Sequence, residues 1–506
     1  MEFPVYQPFP SEWLTFVLFL LGILLVLGLA EWLRSRLNWS AETSRKTVHI
    51  LVGVLIFWAR FLFISPLPAI TLALLFILIN LLAFVRGGFQ GMHSTRRKSL
   101  GTVFYPAAFL ILVLIYWNRD PGILLISFLI LALGDPLAAQ VGETVAHPRR
   151  FRVWRDEKSV QGSLSLGIFA TLLTVTGLMT LNPLMGLQVP SAGTLLATGI
   201  AVGIVSAAAE SISWGGSDNL SLPLSAAITL DICLSDQSGS ATTFLLWLLI
   251  AFILAYGAYR LKVLTLSGTM VAFLLGTFIF GIGGIAWMIP LGIFFLLSSL
   301  LSKLGGSRKA SAELMYEKSG NRDMMQVLAN GGVAGLLAII WHYTQFDLLY
   351  LAFLGSLAAA TADTWGTEIG VFSRRPPRSI LTFRQVTMGT SGGITMVGTT
   401  GAALGSGILT LSGLLVPIST LDPLLKSHTF LAIAFAGVAG ALFDSLLGAT
   451  VQAQYYCETC GKITEKRRHC DVPVARLHQG FQWINNDVVN LACTSMGALL
   501  AFLLLG

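Results

Sequence analysis

The sequence predicts an all-α polytopic integral membrane protein of about 16 transmembrane helices, arranged as two tandem, parallel modules of about eight helices each. Three observations predict this fold class: the composition, the length of the apolar runs and the placement of the charges. Hydrophobic residues make up 55% of the 506 residues and charged residues only 11%, with a mean hydropathy of +0.76. Because soluble domains carry about 25% charged residues, the composition excludes a soluble protein.

Apolar runs of about 17–25 residues, long enough to cross a bilayer, recur along the whole chain. The first run, near residues 13–30, follows Glu2 and Glu12 rather than a basic segment. This pattern indicates a retained helix and not a cleaved signal peptide. Two short runs, at 221–235 and 348–362, fit either a span or a re-entrant segment.

The basic residues follow every second apolar run. Their clusters lie at 34–46, 86–98, 149–158, 260–262, 303–322, 374–384 and 462–476. Short basic loops stay on the cytoplasmic side, so we predict a bacterial inner-membrane type of topology with both termini outside and the active sites facing the cytoplasm. The net charge of +7 then reflects topology, and no soluble basic domain is present to bind nucleic acid.

An aspartate followed by small residues recurs where apolar runs end. It stands in "GDPLAAQVG" (134–142), "ADTWGTEIG" (362–370) and "FDSLLGATVQ" (443–452). About eight spans separate Asp135 from Asp363, and the motif family changes at "DQSGSAT" (236–242). We therefore predict one module over 1–236 and a second over 242–506.

Two interpretations of these acids are open on the residues alone. A charge at membrane depth costs a few kcal/mol and marks a functional residue by default. Alternatively, Asp-Pro is a favourable helix N-cap and small residues serve helix packing. Recurrence at matched positions favours function.

Acids beside basic residues and glycine-rich turns suit a complex of Mg²⁺ with a nucleotide, because Mg²⁺ binds one or two carboxylates plus phosphate oxygens. The candidates in the first module are Arg45, Lys46, His49, Arg97, Lys98, Asp135, Lys158, Ser159, Glu210, Asp218 and Asn219. Those in the second are Arg322, Asp323, Asn330, Asp363, Glu368, Gly389, Thr390, Ser391, Gly392, Asp444, Asp487 and Asn490. Topology alone explains any single basic residue equally well. The chain has no Walker A pattern, which excludes a P-loop ATPase.

The cysteines predict a separate metal site in the loop 455–480. "CETCGK…RRHC" supplies Cys457, Cys460, His469 and Cys470 at zinc-knuckle spacing, which favours structural Zn²⁺. His478 could replace His469, because adjacent ligands do not readily reach one ion. The other interpretation is a reduced loop without metal.

The first module resembles the polyprenol kinase family, which includes phytol kinase and dolichol kinase. The matching segments are "SRKTVH" (44–49), "GTVFYP" (101–106), "GDPLAAQVG" (134–142), "KSVQGS" (158–163) and "DNLSLPL" (218–224). The second module resembles the family that contains phytyl-phosphate kinase. It carries "SGTMVAFLLG", "RDMMQVLANGG", "ADTWGTEIG", "GTSGGIT", "FDSLLGATVQ" and "NDVVN" in that family's order.

The resemblance implies a bifunctional phosphotransferase with CTP as phosphoryl donor. Phytol or a similar isoprenoid alcohol would become the monophosphate and then the diphosphate, as in salvage for tocopherol, phylloquinone or chlorophyll-related lipids. Catalytic roles would fall to Asp135, Asp363, Lys158 and Asp444, and Mg²⁺ ligation to Asp135, Asp363, Asp444 and Asp487. Lys158 and Arg97 would bind phosphates in the first site, and Arg322 with the "GTSGG" amides in the second.

Two other functions use the same features. A cytidylyltransferase making a CDP-lipid needs acids and CTP but releases pyrophosphate instead of CDP. A membrane transporter uses intramembrane acids for ion coupling, although it places them near the bilayer midplane.

Overall fold

A computed structural model describes residues 3–86, 100–154, 156–235, 241–303, 320–415, 423–468, 470 and 476–506. The chain forms two compact units, Met1–Leu246 and Trp247–Gly506. The predicted junction at 236–242 precedes this boundary, and most of it lies outside the described residues.

The first unit consists of helices and one short hairpin. Its helices are α1 (Glu12–Leu37), α2 (Ala41–Leu62), α3 (Leu67–Arg86), α4 (Gly101–Tyr116), α5 (Pro121–Leu129), α6 (Asp135–Thr144), α7 (Val160–Leu184), α8 (Ala192–Ile212) and α9 (Asp218–Leu234). A π-helical turn, Ile130–Gly134, joins α5 to α6 without a break. Strands β1 (Arg150–Arg152) and β2 (Glu157–Ser159) pair antiparallel between α6 and α7.

The second unit begins within helix α10 (Ala241–Arg260). It continues with α11 (Leu266–Ser302), α12 (Met324–Thr344), α13 (Leu348–Gly370), α14 (Met396–Leu414), α15 (Pro423–Thr450) and α16 (Asn486–Leu505). Strands β3 (Arg378–Ser379) and β4 (Gly393–Ile394) pair antiparallel between α13 and α14. Strands β5 (Gln454–Cys457), β6 (Lys462–Thr464) and β7 (Arg476–Gln479) form a sheet of order β6-β5-β7.

Helix α11 has 37 residues, which corresponds to about 55 Å and exceeds a hydrocarbon core of about 30 Å. Its backbone leaves the helical region at Gly284, where φ is 57° and ψ is −145°. Only glycine adopts this conformation at low cost. Gly284 therefore divides α11 into two helical segments, each of a length that suits one crossing.

Twelve helices in the described residues are long and apolar enough to cross a membrane, and the shorter α4 is also apolar. These helices confirm the predicted class of multi-pass integral membrane protein. Helix α2 falls outside the twelve because Glu42, Arg45, Lys46 and Arg60 interrupt it, and α9 has only 17 residues. The total of about 16 spans, the parallel modules and the membrane orientation stay predictions.

Helix α13 is the centre of the second unit, and small residues let its neighbours approach closely. Residues from Tyr350 to Ala362 are all buried. A Cβ on Gly440 of α15 would lie 2.7 Å from the Ala359 side chain, and one on Gly437 would lie 2.8 Å from that of Ala358. Such close packing of glycine and alanine is typical of membrane helices. Asp363 follows this buried stretch directly, so a rigid helix positions its carboxylate.

Candidate functional site

Asp135 lies inside a continuous helix in the first unit. Gly134 and Asp135 both have helical backbone angles, whereas an N-cap residue is non-helical. The interpretation of "DP" as a helix N-cap is therefore wrong. The residues before Asp135 form a π-helical turn, a distortion that occurs frequently at functional sites.

Lys158 joins an ionic cluster with two acids of the same unit. Its Nζ lies 2.5 Å from Oε1 of Glu210 and 3.6 Å from Oδ2 of Asp218. Glu210 is buried and also accepts a hydrogen bond of 3.2 Å from the Ser163 hydroxyl. Asp135 interacts electrostatically with all three members of this cluster. The acids outnumber the lysine, so the cluster can accept a further cation.

The cluster keeps Lys158 charged. Burial alone would lower the pKa of the Lys158 amine, but the negative charges of Glu210 and Asp218 raise this pKa above its ordinary value. A charged amine that is partly buried, with 16% of its side chain exposed, is suited to phosphate oxygens.

The remaining predicted residues of the first unit are spread around this cluster. Lys46 pairs with Glu143 at 2.8 Å, and Arg45 lies 3.9 Å from Glu42 while also interacting with Asp135. Nε2 of His49 lies 3.2 Å from the carbonyl oxygen of Leu131 in the π-helical turn.

Of four further predicted positions, Ser159 and Asn219 make structural contacts, and the other two lie outside the described residues. The Ser159 hydroxyl caps α7 by accepting the Gly162 amide at 3.0 Å. Asn219 donates to the Gly101 carbonyl at 3.1 Å, and its Oδ1 is buried without a hydrogen-bond partner in the part of the chain that the structure describes. Arg97 and Lys98 lie outside the described residues.

The second unit contains a cavity of about 500 Å³ between its helices and loops, within the range of roughly 300–1,000 Å³ that small-molecule sites occupy. Most candidate residues of the second module line this cavity. They are Arg322, Asn330, Asp363, Glu368, Gly389, Thr390, Ser391, Gly392, Asp444 and Asn490. Residues from five separate segments of sequence therefore meet at one polar site.

Three carboxylates face one another in this cavity. Asp444 interacts electrostatically with Asp363 and with Glu465, and all three line the cavity. Oδ2 of Asp444 is buried and has no hydrogen-bond partner among the described residues. A bound cation would relieve the repulsion between like charges that are this close. The oxygen-only donor set of Asp363 and Asp444 fits Mg²⁺.

Cations line the same cavity. Arg322, Lys262 and Lys303 all contribute to its wall. Burial lowers the pKa of Arg322, and the nearby Glu368 carboxylate partly opposes this effect; a guanidinium nevertheless stays charged. The cavity therefore presents positive and negative groups together, as a complex of metal and phosphate requires.

The glycine-rich turn 389–393 has a backbone that favours glycine, and some of its amides bond within the turn. Gly389 and Gly392 have φ values of 86° and 79°, which favour glycine. The amide of Thr390 donates to the Thr387 carbonyl at 3.2 Å, and that of Gly393 donates to the Thr390 carbonyl at 3.0 Å. Two of the amides predicted to bind phosphate are thus engaged within the turn.

Two acids predicted for the second site do not line the cavity. Asp323 caps α12, and its side chain and that of Gln326 form a capping box. Asp487 is buried in the first turn of α16, between the cavity-lining Asn486 and Asn490.

Each unit contains the same local succession around its aspartate. A helix that carries the acid is followed by a two-stranded antiparallel pair and then by a helix capped by a hydroxyl, Ser159 in one unit and Thr395 in the other. Glycines then pack on the acid-bearing helix: a Cβ on Gly162 would lie 2.8 Å from the Ala138 carbonyl, and one on Gly398 2.7 Å from that of Gly366. The succession is consistent with related modules, whose equivalence stays a prediction.

Sequence reasoning missed several residues of the cavity. Glu465 accepts hydrogen bonds from the Ser391 hydroxyl at 2.8 Å and from Nε2 of Gln452 at 2.9 Å. Its position inside the cysteine loop associated it with zinc only. Lys262 and Lys303 stood in clusters that topology explained. The signal available was Gln452, which ends the motif "FDSLLGATVQ".

The fold and the site together define an integral membrane protein with a polar cavity lined by carboxylates and cationic side chains. Residues 249–498 match the family model described as integral membrane protein DUF92. Protein PGR of Arabidopsis thaliana is 33% identical over 262 residues, which cover 48% of this chain and 89% of the relative. The chain belongs to the DUF92 family of integral membrane proteins.

Other relatives carry more specific names. The phytol kinase of Synechocystis sp. is 32% identical over 198 residues, covering 39% of this chain and 82% of the relative. Protein VTE6, chloroplastic, of Arabidopsis thaliana is 25% identical over 246 residues, covering 48% of this chain and 65% of the relative. No solved structure matches the chain. The predicted relation to polyprenol kinases is confirmed at the level of these relatives, and the fusion of two modules stays a prediction.

Proposed function

We propose that the chain is a bifunctional membrane kinase that converts an isoprenoid alcohol such as phytol to its monophosphate and then to its diphosphate. CTP would donate both phosphoryl groups. The observation that supports this proposal most is the cavity of the second unit, where Asp363, Asp444 and Arg322 meet. Similarity to a phytol kinase supports the substrate class.

In the first unit, the alcohol oxygen would attack the terminal phosphorus of CTP, and the bond from that phosphorus to the CDP oxygen would break. Positioning and charge neutralisation provide most of the catalysis of such a transfer. Lys158, held by Glu210 at 2.5 Å, would bind the transferred phosphate. Asp135 would orient the attacking hydroxyl or share in holding Mg²⁺.

In the second unit, a phosphate oxygen of the monophosphate would be the nucleophile. Asp363 and Asp444 are the residues that would hold Mg²⁺, because they line the same cavity and interact electrostatically, and the buried Oδ2 of Asp444 has no hydrogen-bond partner among the described residues. When bound, Mg²⁺ neutralises charge on the phosphates. Arg322 would bind phosphate oxygens, and Ser391 would be held in place by Glu465 at 2.8 Å.

The two acids test the assignment of the steps. Purified protein in lipid nanodiscs is incubated with labelled CTP, Mg²⁺ and either phytol or phytyl monophosphate. Asp135→Asn should leave alcohol unphosphorylated yet still convert added monophosphate, because the second site is intact. Asp363→Asn should do the reverse and accumulate monophosphate. Asp347→Asn, at the opposite end of α13 with no capping bond, serves as the matched control for both.

The released nucleotide separates the alternatives. A kinase releases CDP, whereas a cytidylyltransferase releases pyrophosphate and retains the cytidine on the lipid. Release of pyrophosphate would replace the proposal by the cytidylyltransferase. Loss of both steps in either folded variant would refute the assignment of one step to each unit.

A further inference from the structure

Three thiols converge at the edge of the β5-β6-β7 sheet. The sulfur atoms of Cys457, Cys460 and Cys470 all lie within 4.8 Å of one another. Cys457 ends β5 and Cys460 precedes β6. The amide of Gly461 donates to the Cys457 carbonyl at 2.9 Å, and Gly461 has a φ of 67°. This tight turn directs the two sulfur atoms to the same point, as in a zinc knuckle.

The segment between Cys460 and Cys470 carries Glu465 into the cavity. Strand β6 pairs with β5 from Cys457↔Lys462 to Tyr455↔Thr464, and Glu465 follows directly. Its side chain is 9% exposed and lines the cavity with Asp363 and Asp444. Because Cys460 and Cys470 meet, Glu465 lies within a loop whose two ends are brought together.

We propose that Cys457, Cys460 and Cys470 bind Zn²⁺ and that this metal holds Glu465 in the cavity of the second unit. Three thiolates supply most of a tetrahedral zinc site. His478 of β7 does not join the three thiols, and His469 lies outside the described residues. Glu465 is then a positioning residue, which fixes Ser391 and Gln452 through the hydrogen bonds given above.

The physical reason is the weak attachment of β6 to the sheet. Strand β6 is an edge strand that pairs only with β5, over three residues, and a pairing of this length is marginally stable on its own. Zinc bound to thiolates converts binding free energy into folding free energy of the loop. The order of the loop, and with it the position of the Glu465 carboxylate, therefore depends on the metal.

The first experiment measures the metal without reference to activity. Elemental analysis of the purified chain should find about one zinc per molecule. Cys457→Ser and Cys470→Ser should lose it, and Cys233→Ala, a cysteine of α9 outside the cluster, should keep it. Co²⁺ substitution should give a charge-transfer spectrum of thiolate ligands. Hydrogen exchange of peptides spanning Glu465 should accelerate on zinc removal, while exchange in α7 stays unchanged.

The second experiment rests on the proposed function and tests the link to Glu465. Cys460→Ser should reduce conversion of monophosphate to diphosphate about tenfold or more, as loss of supporting contacts typically does, and leave alcohol phosphorylation unchanged. In a Glu465→Ala background, Cys460→Ser should have no further effect, because coupled residues are not additive. Glu465→Asp should recover part of the activity that Glu465→Ala loses.

Each experiment can contradict a different part of the proposal. A chain without zinc, or with a disulfide between these cysteines, overturns the metal site whatever the enzyme does. Zinc present with unchanged exchange near Glu465, or with fully additive effects of Cys460→Ser and Glu465→Ala, overturns the link between metal and cavity. If no isoprenoid is phosphorylated at all, the proposed function fails, and the zinc content and hydrogen exchange still decide this inference.

Discussion

Removal of the Lys158 amine should destabilise the first unit more than any exposed charge deletion. In Lys158→Met, the Glu210 carboxylate stays buried, with 7% of its side chain exposed, and loses the partner 2.5 Å away. Leaving a buried charge without its partner costs about 3–5 kcal/mol. Asp218, 3.6 Å from the same amine, loses attraction as well. We expect a loss of unfolding free energy in this range.

Two further variants test whether the loss of stability comes from the unpaired, buried Glu210 carboxylate. Lys46→Met removes an amine of similar exposure, 14%, but its partner Glu143 is 55% exposed, so the loss should be at most about 1 kcal/mol. The double variant Lys158→Met/Glu210→Gln removes both charges and keeps the hydroxyl contact of Ser163, so it should recover more than half of the lost stability. It should not recover alcohol phosphorylation, because the phosphate-binding amine is still missing.

Denaturant titration in detergent micelles, followed by tryptophan fluorescence, measures these differences. If Lys158→Met costs less than about 1 kcal/mol, or if the double variant is less stable than Lys158→Met, then the pair is not a buried ion pair of the expected kind. The Lys158 amine would then not be held in place for phosphate.

Two predictions concern the cavity of the second unit. Gly392→Ala places a Cβ on a residue with a φ of 79°, 2.7 Å from the Ser445 carbonyl oxygen. It should lower the free energy of unfolding by about 1–3 kcal/mol and slow the second step about 100-fold. Gly257→Ala in α10, with open space around it, should be neutral or slightly stabilising in the same titration and assay. Asp444→Asn removes the negative charge that interacts with Asp363 and Glu465. Without Mg²⁺ and nucleotide, the melting temperature of this variant should equal or exceed that of the native chain, while diphosphate formation is lost. A lower melting temperature would contradict the interpretation of these acids as a cation-binding site.

The class of the protein follows from composition, because only a bilayer allows so many apolar runs with so few charges. The residues that line the second cavity were largely predictable for a related reason. Placing an acid such as Asp363 or Asp444 within a membrane span costs insertion free energy. Its presence among small residues therefore already indicates a functional role. Arg322 and the turn 389–393 were predicted to join these acids because a basic residue and a glycine-rich turn suit phosphate. The structure places all of them around one cavity.

Other features could not be predicted because they depend on tertiary context. The sequence "LALGDP" is compatible with a helix start at Asp135 or with a continuous helix, and the structure has a continuous helix with a π-helical turn at Ile130–Gly134. Glu465 is separated from Asp363 by about a hundred residues of sequence, and a strand pairing of three residues places it in the cavity. No local pattern encodes that approach.

The cations of the second cavity agree with the step proposed for that unit. An alcohol is neutral, so the first site needs to bind the phosphates of one nucleotide only, and Lys158 with Arg45 stands beside three acids there. A monophosphate adds a charge of about −2 at neutral pH, so the second site must hold two anions close together. Its wall contains Arg322, Lys262 and Lys303. These three cations therefore lie in the cavity where the more negative substrate would bind.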